Sequence, residues 1–215
     1  WIEVRVNLDD NSARNIPCCV KIEVTPTNAA PGQLVRFHAT VADRDDDSFA
    51  YAWSFDDGTF STNNRAWTYK SWAAAGEHVV RCEVSDMRGG VASANVIATV
   101  GAPAGFRVTG AVLDANDNPI EGVLVSEATT NPPASVFCYT DSDGSYVLTG
   151  LDGDYELQAT KYGYTITNLT WQNPLSVTSN RTRIDFLATA LPTVRVEAGT
   201  NAVPETGGIT YFKII

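Results

Sequence analysis

The chain has 215 residues, 44% of them apolar, enough for two compact cores of roughly 100 residues each. Its 25 acidic side chains against 15 basic ones give a formal charge of −10, and no Lys/Arg cluster breaks that balance, which argues against nucleic-acid binding because such proteins present a basic face. No apolar run approaches the roughly 18–20 residues of a membrane-spanning helix, and the opening at Trp1, with neither an initiator Met nor a signal peptide, is that expected of a mature or excised piece.

Apolar and polar residues alternate with period two along nearly the whole chain, in stretches separated by Gly, Pro, Asn and Asp clusters, and no stretch reads as a helix. Ile2, Val4, Val6 and Leu8 face one way and Glu3, Arg5 and Asn7 the other, which predicts a half-buried strand closed by Asp9-Asp10-Asn11. Cys18, Val20, Ile22 and Val24 repeat the pattern up to Pro26. Val35, Phe37, Ala39 and Val41 form the next inward set, followed by Tyr51, Trp53 and Phe55, then Val80, Cys82 and Val84, with Val91 to Val100 as a closing strand. These runs predict one sandwich over 18–101, preceded by a strand segment, 1–17, that belongs to an incomplete or shared sandwich.

Within that region, Tyr51-Ala52-Trp53-Ser54-Phe55-Asp56-Asp57-Gly58-Thr59 reads as a strand ending in a tight Asp-Gly turn. Ala75-Gly76-Glu77-His78-Val79-Val80-Arg81-Cys82-Glu83-Val84-Ser85-Asp86 reads as a Gly-led alternating strand. Together they resemble the polycystic-kidney-disease (PKD) domain, whose pattern is Trp-x-Phe-Gly-Asp-Gly and later Gly-x-Tyr-x-Val-x-Leu-x-Val-x-Asp. Asp56 stands where a Gly is common, and His78 and Cys82 replace the usual Tyr and Leu. The resemblance implies an Ig-like β-sandwich that spaces, binds or assembles outside the cell and carries no chemistry.

Gly101-Ala102-Pro103-Ala104-Gly105 is a small-residue linker, and a second domain, 102–190, is expected from there. Val108 to Asp114, Asn118 to Val125, Thr140 to Leu148 and Gly153 to Ala159 resemble, in order and spacing, the carboxypeptidase regulatory-like domain, which implies a transthyretin-like sandwich. Asp143-Gly144 between alternating runs predicts a hairpin turn, and Pro119 precedes a strand where a missing N–H does no harm. The expected fold class is therefore all-β: tandem Ig-like and transthyretin-like β-sandwiches with extra terminal strands. In the tail, 191–215, Thr193 to Ala198 and Gly208 to Ile215 read as two more strands that resemble the opening of a Calx-β domain. Two strands cannot bury a core. Either the ends are excision points, or strands at one terminus complete a sheet of a neighbouring copy by complementation. A head-to-tail contact of that kind that does not close makes a filament.

Of the four cysteines, Cys82 shares the inward parity of Val80 and Val84. An extracellular setting makes a disulfide the expectation; four cysteines allow three complete connectivities, inward parity favours Cys18 with Cys82, and a small buried apolar thiol is the other reading of Cys82. No Cys-x-x-Cys pair suggests zinc. Asp43, Asp45 and Asp47 in the run Asp43-Arg44-Asp45-Asp46-Asp47 read either as a calcium loop or as a solvated turn, calcium being the one cofactor the sequence suggests. The Asp/Asn stretches at Asp114 to Asn118 and Asp141 to Gly144 read as turns.

No catalytic role is expected. His38 lies on an outward parity, His78 on an aromatic position, and the chain holds no His-Glu-x-x-His, Gly-x-Ser-x-Gly or phosphate-binding Gly loop. A Lys-to-Asn isopeptide bond is rejected because Phe106 to Leu113 holds no Lys. Trp67, Tyr69 and Trp72 cluster around Lys70 and read as a ligand-binding aromatic face from which at least one ring turns into the core. Asn168-Leu169-Thr170 and Asn180-Arg181-Thr182 match the N-glycosylation pattern at Asn168 and Asn180. The preferred function is a structural or adhesive module on a cell surface or outside the cell, whose partners are neighbouring copies or domains, or glycans and extracellular matrix. The alternatives are an accessory region of a large secreted hydrolase such as a metallopeptidase, and a carbohydrate- or protein-binding module.

Overall fold

The computed structural model describes residues 18–43, 48–61, 63–128, 136–192, 196–198 and 212–214. The expected strand from Ile2 to Leu8 lies outside them, and among the described residues there is no helix.

Eight strands build the first sandwich: β1 Cys18–Thr25, β2 Asn28–Ala29, β3 Val35–Ala42, β4 Ala50–Phe55, β5 Phe60–Ser61, β6 Trp67–Lys70, β7 Gly76–Ser85 and β8 Val91–Val100. They form a three-stranded sheet ordered β1-β3-β6 and a five-stranded sheet ordered β2-β8-β7-β4-β5. Because side chains alternate along a strand, each sheet turns one parity inward. Val35, Phe37 and Ala39 of β3 meet Trp53, Phe55, Val80, Cys82 and Val84 of the opposing sheet, all buried. The Phe37 ring lies 6.3 Å from Trp53, 6.4 Å from Phe55 and 6.2 Å from Trp72, in tilted or edge-to-face geometry that the ring quadrupoles favour. Trp53 keeps its one polar atom satisfied by donating Nε1–H to the Arg65 carbonyl at 2.9 Å. Cys82 stands directly across the β4–β7 ladder from Trp53, so a small residue faces the largest one.

Nine strands build the second sandwich: β9 Phe106–Leu113, β10 Leu124–Glu127, β11 Phe137–Tyr139, β12 Ser145–Leu151, β13 Gly153–Tyr155, β14 Leu157–Thr160, β15 Tyr164–Asn168, β16 Leu175–Val177 and β17 Phe186–Ala190. They pair as β12-β9-β17-β15, β11-β10-β14 and β13-β16, around a core that includes Val108, Val112, Val123, Leu148, Leu157 and Phe186. The last two described strands, β18 Val196–Ala198 and β19 Phe212–Ile214, form an antiparallel pair with no hydrogen-bonded neighbour among the described strands.

The two Asp-Gly turns differ. At Asp57-Gly58 the flanking strands β4 and β5 pair with each other, a true hairpin closed by Gly58 N–H to the Phe55 carbonyl at 3.0 Å. At Asp143-Gly144 the turn is equally tight, with Gly144 N–H donating to the Asp141 carbonyl at 2.9 Å, but β11 pairs with β10 and β12 with β9. The expected hairpin there is instead a corner between two sheets. Turn chemistry sets the local reversal and does not set which sheet each arm joins.

The two sandwiches dock through β7. Alternation alone makes β7 one-sided, yet Val79, Val80, Arg81 and Cys82 are all buried. Val80 and Cys82 enter the first core, whereas Val79 belongs to the hydrophobic cluster of the second domain. Glu77, two residues before Val79 on the same face, takes a two-pronged ion pair from Arg107, with Nε donating to Oε2 at 2.6 Å, and its backbone carbonyl accepts from Thr149 Oγ1 at 2.7 Å. Arg81 Nη1 donates to the Thr140 carbonyl at 2.7 Å, and Nη2 lies 3.4 Å from Glu121 Oε1. On β8, Asn95 Nδ2 donates to the Tyr139 carbonyl at 2.8 Å, Ser93 Oγ–H donates to Glu121 Oε1, and the Ser93 carbonyl accepts from Ser142 Oγ at 2.8 Å. These bonds join charged or polar side chains to backbone carbonyls and to the carboxylates of Glu77 and Glu121, a pattern that fixes one relative orientation.

Candidate functional site

Three places in the fold combine polar and aromatic groups. The first is the cluster under the β4–β5 turn. His78 stacks on Trp72 at 4.5 Å with an interplanar angle of 12°, and its Nδ1–H donates to Asp56 Oδ2 at 3.0 Å. Burial pushes the Asp56 carboxyl above the usual carboxylate range, opposed by the charge and hydrogen bond of His78. Asp57 beside it behaves oppositely: burial raises it, but hydrogen bonds from Lys70 and Thr59 outweigh that and hold it low. Lys70 Nζ reaches Asp57 Oδ2 at 2.6 Å and lies 5.0 Å from the Phe55 ring centroid, so the turn of one sheet is tied to the edge strand of the other. His78 Nε2, Asp56 Oδ1 and Trp72 Nε1 are buried without a hydrogen-bond partner among the described residues. A histidine whose free nitrogen is sealed from solvent has no access to a substrate, so this cluster reads as internal support.

That cluster yields a pH prediction. The raised Asp56 pKa means that the folded state binds this proton more tightly than the unfolded chain does. The associated stability is complete below the unfolded value of about 3.9 and is lost as pH rises through the folded value. Asp56→Asn keeps an acceptor for His78 and removes the titration. The stability of the variant relative to the parent, read as urea midpoints at pH 4 and pH 7, is therefore expected to be higher at pH 7. A relative stability that falls between those two pH values sinks the assignment.

The second place is the predicted aromatic face, which the fold divides. Trp67 and Tyr69 point to the same outer side of β6, with ring centroids 5.7 Å apart and the Arg65 guanidinium 5.1 Å from the Trp67 ring. Tyr69 is 51% exposed, whereas Trp72 is buried in the first core against Phe37 and Phe55. The expected inward ring is thus Trp72, and only Trp67 and Tyr69 remain on the surface as a pair.

The third place was not expected from sequence. Between the domains lies a cleft of about 270 Å³, lined from the first domain by Ser54, Asp56, Phe60, Arg81 and Asn95, and from the second by β11. Phe60, at the tip of the β4–β5 hairpin, is 71% exposed, and Tyr139 is 43% exposed. Phe137 and Tyr139 stand edge to face at 6.4 Å on the far wall. The overlooked signal was Val79, an apolar residue on the outward parity of β7, which marks a second buried face on that strand.

The remaining site residues are placed as follows. Cys82 and Cys138 are free, buried thiols, so the expected bond from Cys18 to Cys82 is not formed and the alternative reading of Cys82 as a small core residue describes it. Burial pushes the Cys82 thiol up to about 12 and the Cys138 thiol up to about 11, far from a reactive thiolate. Of the calcium candidates, Asp43 follows β3 and is half-buried, while Asp45 and Asp47 lie outside the described residues. Among the described residues no three His, Cys, Asp or Glu side chains gather to hold a metal ion. Asn168 and Asn180 are both exposed, with Asn168 Nδ2 donating to the Trp171 carbonyl at 2.7 Å and Asn180 Oδ1 accepting from Arg107 N–H at 2.9 Å. No helix is long and apolar enough to cross a membrane among the described residues.

Residues 20–99 match the PKD domain family, and residues 107–203 match the carboxypeptidase regulatory-like domain family. The second match runs past residue 190 to residue 203 and so takes in Val196–Ala198, the first of the two tail strands expected to open a Calx-β domain; most of 191–215 lies outside the described residues. No curated protein matches the chain. Among solved structures, the chain is similar to the PKD1 domain of Vibrio anguillarum Epp, at 23% identity over 42% of this chain and 99% of that one, with a TM-score of 0.35. It is similar to the PKD1 domain of the Vibrio cholerae metalloprotease PrtV, at 24% identity over 40% of this chain and 99% of that one, with a TM-score of 0.34. It is also similar to BcpA, the major pilin subunit of Bacillus cereus, at 10% identity over 80% of this chain and 70% of that one, with a TM-score of 0.31. These likenesses concern fold alone.

Proposed function

Because the chain carries a PKD domain followed by a carboxypeptidase regulatory-like domain, we propose that it is a non-catalytic extracellular module, a two-domain building block of a surface assembly. The observation that carries this reading is the docked interface. A flexible tandem leaves the linker as the only connection, whereas here Arg107–Glu77, Arg81–Thr140 and Asn95–Tyr139 hold the sandwiches in one orientation. A block of fixed shape transmits geometry from one neighbour to the next, which is what a structural repeat needs.

The joints between blocks are the terminal strands. Among the described strands β18 and β19 pair only with each other, and a third strand added to such a pair would extend its sheet. Main-chain hydrogen bonds from a neighbour's terminal strand would supply affinity there, and repetition head to tail would extend the assembly.

Negative-stain microscopy of the purified chain, beside a variant lacking Trp1 to Asp10, tests this. Filaments or ladders that vanish on truncation are the expected result. Monodisperse particles from both proteins overturn the assembly role.

A further inference from the structure

We infer that the cleft between the two domains is a binding site for one pyranose unit of a neutral glycan. The inference is independent of the terminal strands and of any assembly they make.

The cleft is built before any ligand arrives. Its floor is fixed by Arg81, which donates to the Thr140 carbonyl at 2.7 Å, and its far wall is fastened to β8 by Asn95, which donates to the Tyr139 carbonyl at 2.8 Å. A preformed concavity at a domain junction, mostly apolar with a few placed polar groups, is the usual form of a small-ligand site. Its volume of about 270 Å³ suits a single substituted six-membered ring and falls just below the range of larger organic ligands.

The occupant follows from what the walls offer and withhold. Phe60 and Tyr139 line the cleft and keep part of their flat ring surfaces exposed. Such rings cover the C–H face of a sugar, whose other atoms are hydroxyls. The polar partner within reach is the Ser54 side chain, exposed in the lining, whereas Asn95 and Asp56 are committed to the protein's own framework. An anionic ligand is disfavoured because Arg81, the cation lining the cleft, is already committed to Glu121 at 3.4 Å and Glu83 at 3.7 Å, within a chain of net charge −10. A peptide added as a strand is disfavoured as well. The flanking strands β5 and β11 have two and three residues, and the Tyr139 carbonyl is already taken by Asn95. That leaves too short a ladder for strand addition. A neutral, amphipathic ring meets every condition.

The test is a titration of the ¹⁵N-labelled chain with four neutral hexasaccharides, cellohexaose, chitohexaose, mannohexaose and laminarihexaose, followed by amide chemical shifts. The expected result is that at least one saturates below about 10 mM, with shifts confined to the 54–60 turn, Asn95 and the β11 segment. The double variant Phe60→Ala/Tyr139→Ala should weaken that binding about tenfold or more, the loss of roughly 1.4 kcal/mol that two ring contacts carry. Phe60 is 71% and Tyr139 43% exposed and neither belongs to a core, so the variant should stay folded, and its melting curve is recorded alongside. The inference is overturned if no sugar saturates, if the shifts map to Trp67 and Tyr69 instead, or if the folded double variant binds as the parent does.

Discussion

Gly110→Ala is expected to unfold the second sandwich selectively, lowering its melting temperature by roughly 12–24 °C for a cost of about 3 kcal/mol or more. A methyl group at Gly110 would lie 2.1 Å from the Ile184 carbonyl oxygen, 2.6 Å from its carbon and 3.0 Å from the Tyr146 ring. The first two are backbone atoms and cannot swing aside as a side chain does. They are also held in place. Ile184 N–H donates to the Thr109 carbonyl at 3.1 Å, Ala111 N–H donates to Asp185 Oδ1 at 2.8 Å, and Tyr146 O–H donates to the Ile184 carbonyl itself. The 181–185 segment is thus pinned across β9, and only a residue without Cβ lets it approach so closely. Calorimetry of the variant should show the second domain melting ahead of the first, whose own transition falls only by what docking contributed to it. A variant that melts as the parent does would mean that the segment can lift away from β9 at little cost.

The second large effect is at the interface. Arg81→Ala is expected to convert one cooperative unfolding transition into two and to cost about 2–3 kcal/mol at the junction. The side chain is nearly buried, and its removal leaves the Thr140 carbonyl and the Glu121 carboxylate without their cationic partner. The figure sits below that for a fully enclosed pair because the Glu121 side chain is 29% exposed and water can reach it. The exposed Glu83 partner at 3.7 Å contributes little. Arg81→Met keeps an apolar stem of similar length and should retain more of the coupling, which separates lost packing from lost hydrogen bonds. A single transition at the parental midpoint in the Ala variant would show that Arg81 does not couple the domains.

Much of the fold was readable in the strands. The inward sets of β3 and β4, the extent of β8 and the Ig-like register through Trp53 follow from period-two alternation and the Asp57-Gly58 turn, because each is a local property of the chain. The departures from the PKD pattern were legible one at a time, while their relation was not. Asp56 in place of Gly and His78 in place of Tyr are joined by a hydrogen bond at 3.0 Å, so each substitution accommodates the other. Cys82 in place of Leu makes room opposite Trp53. The cleft and the interface were hidden for a different reason. Alternation assigns the second parity of a strand to solvent, and nothing local distinguishes a polar residue facing water from one such as Arg81 or Asn95 facing another domain. The corner at Asp143-Gly144 was misread as a hairpin for the same reason, since sheet membership is decided by partners far away in sequence.

Side-by-side attachment gives the molecule an unusual response to tension. The covalent path between the sandwiches is the five-residue run from Gly101 to Gly105, while Arg107–Glu77, Thr149–Glu77 and Arg81–Thr140 bridge the same gap in parallel. The sandwiches therefore part only when these bonds break, and the chain then released, at most about 3.3–3.6 Å for each linker residue, bounds how far they separate before either begins to unravel.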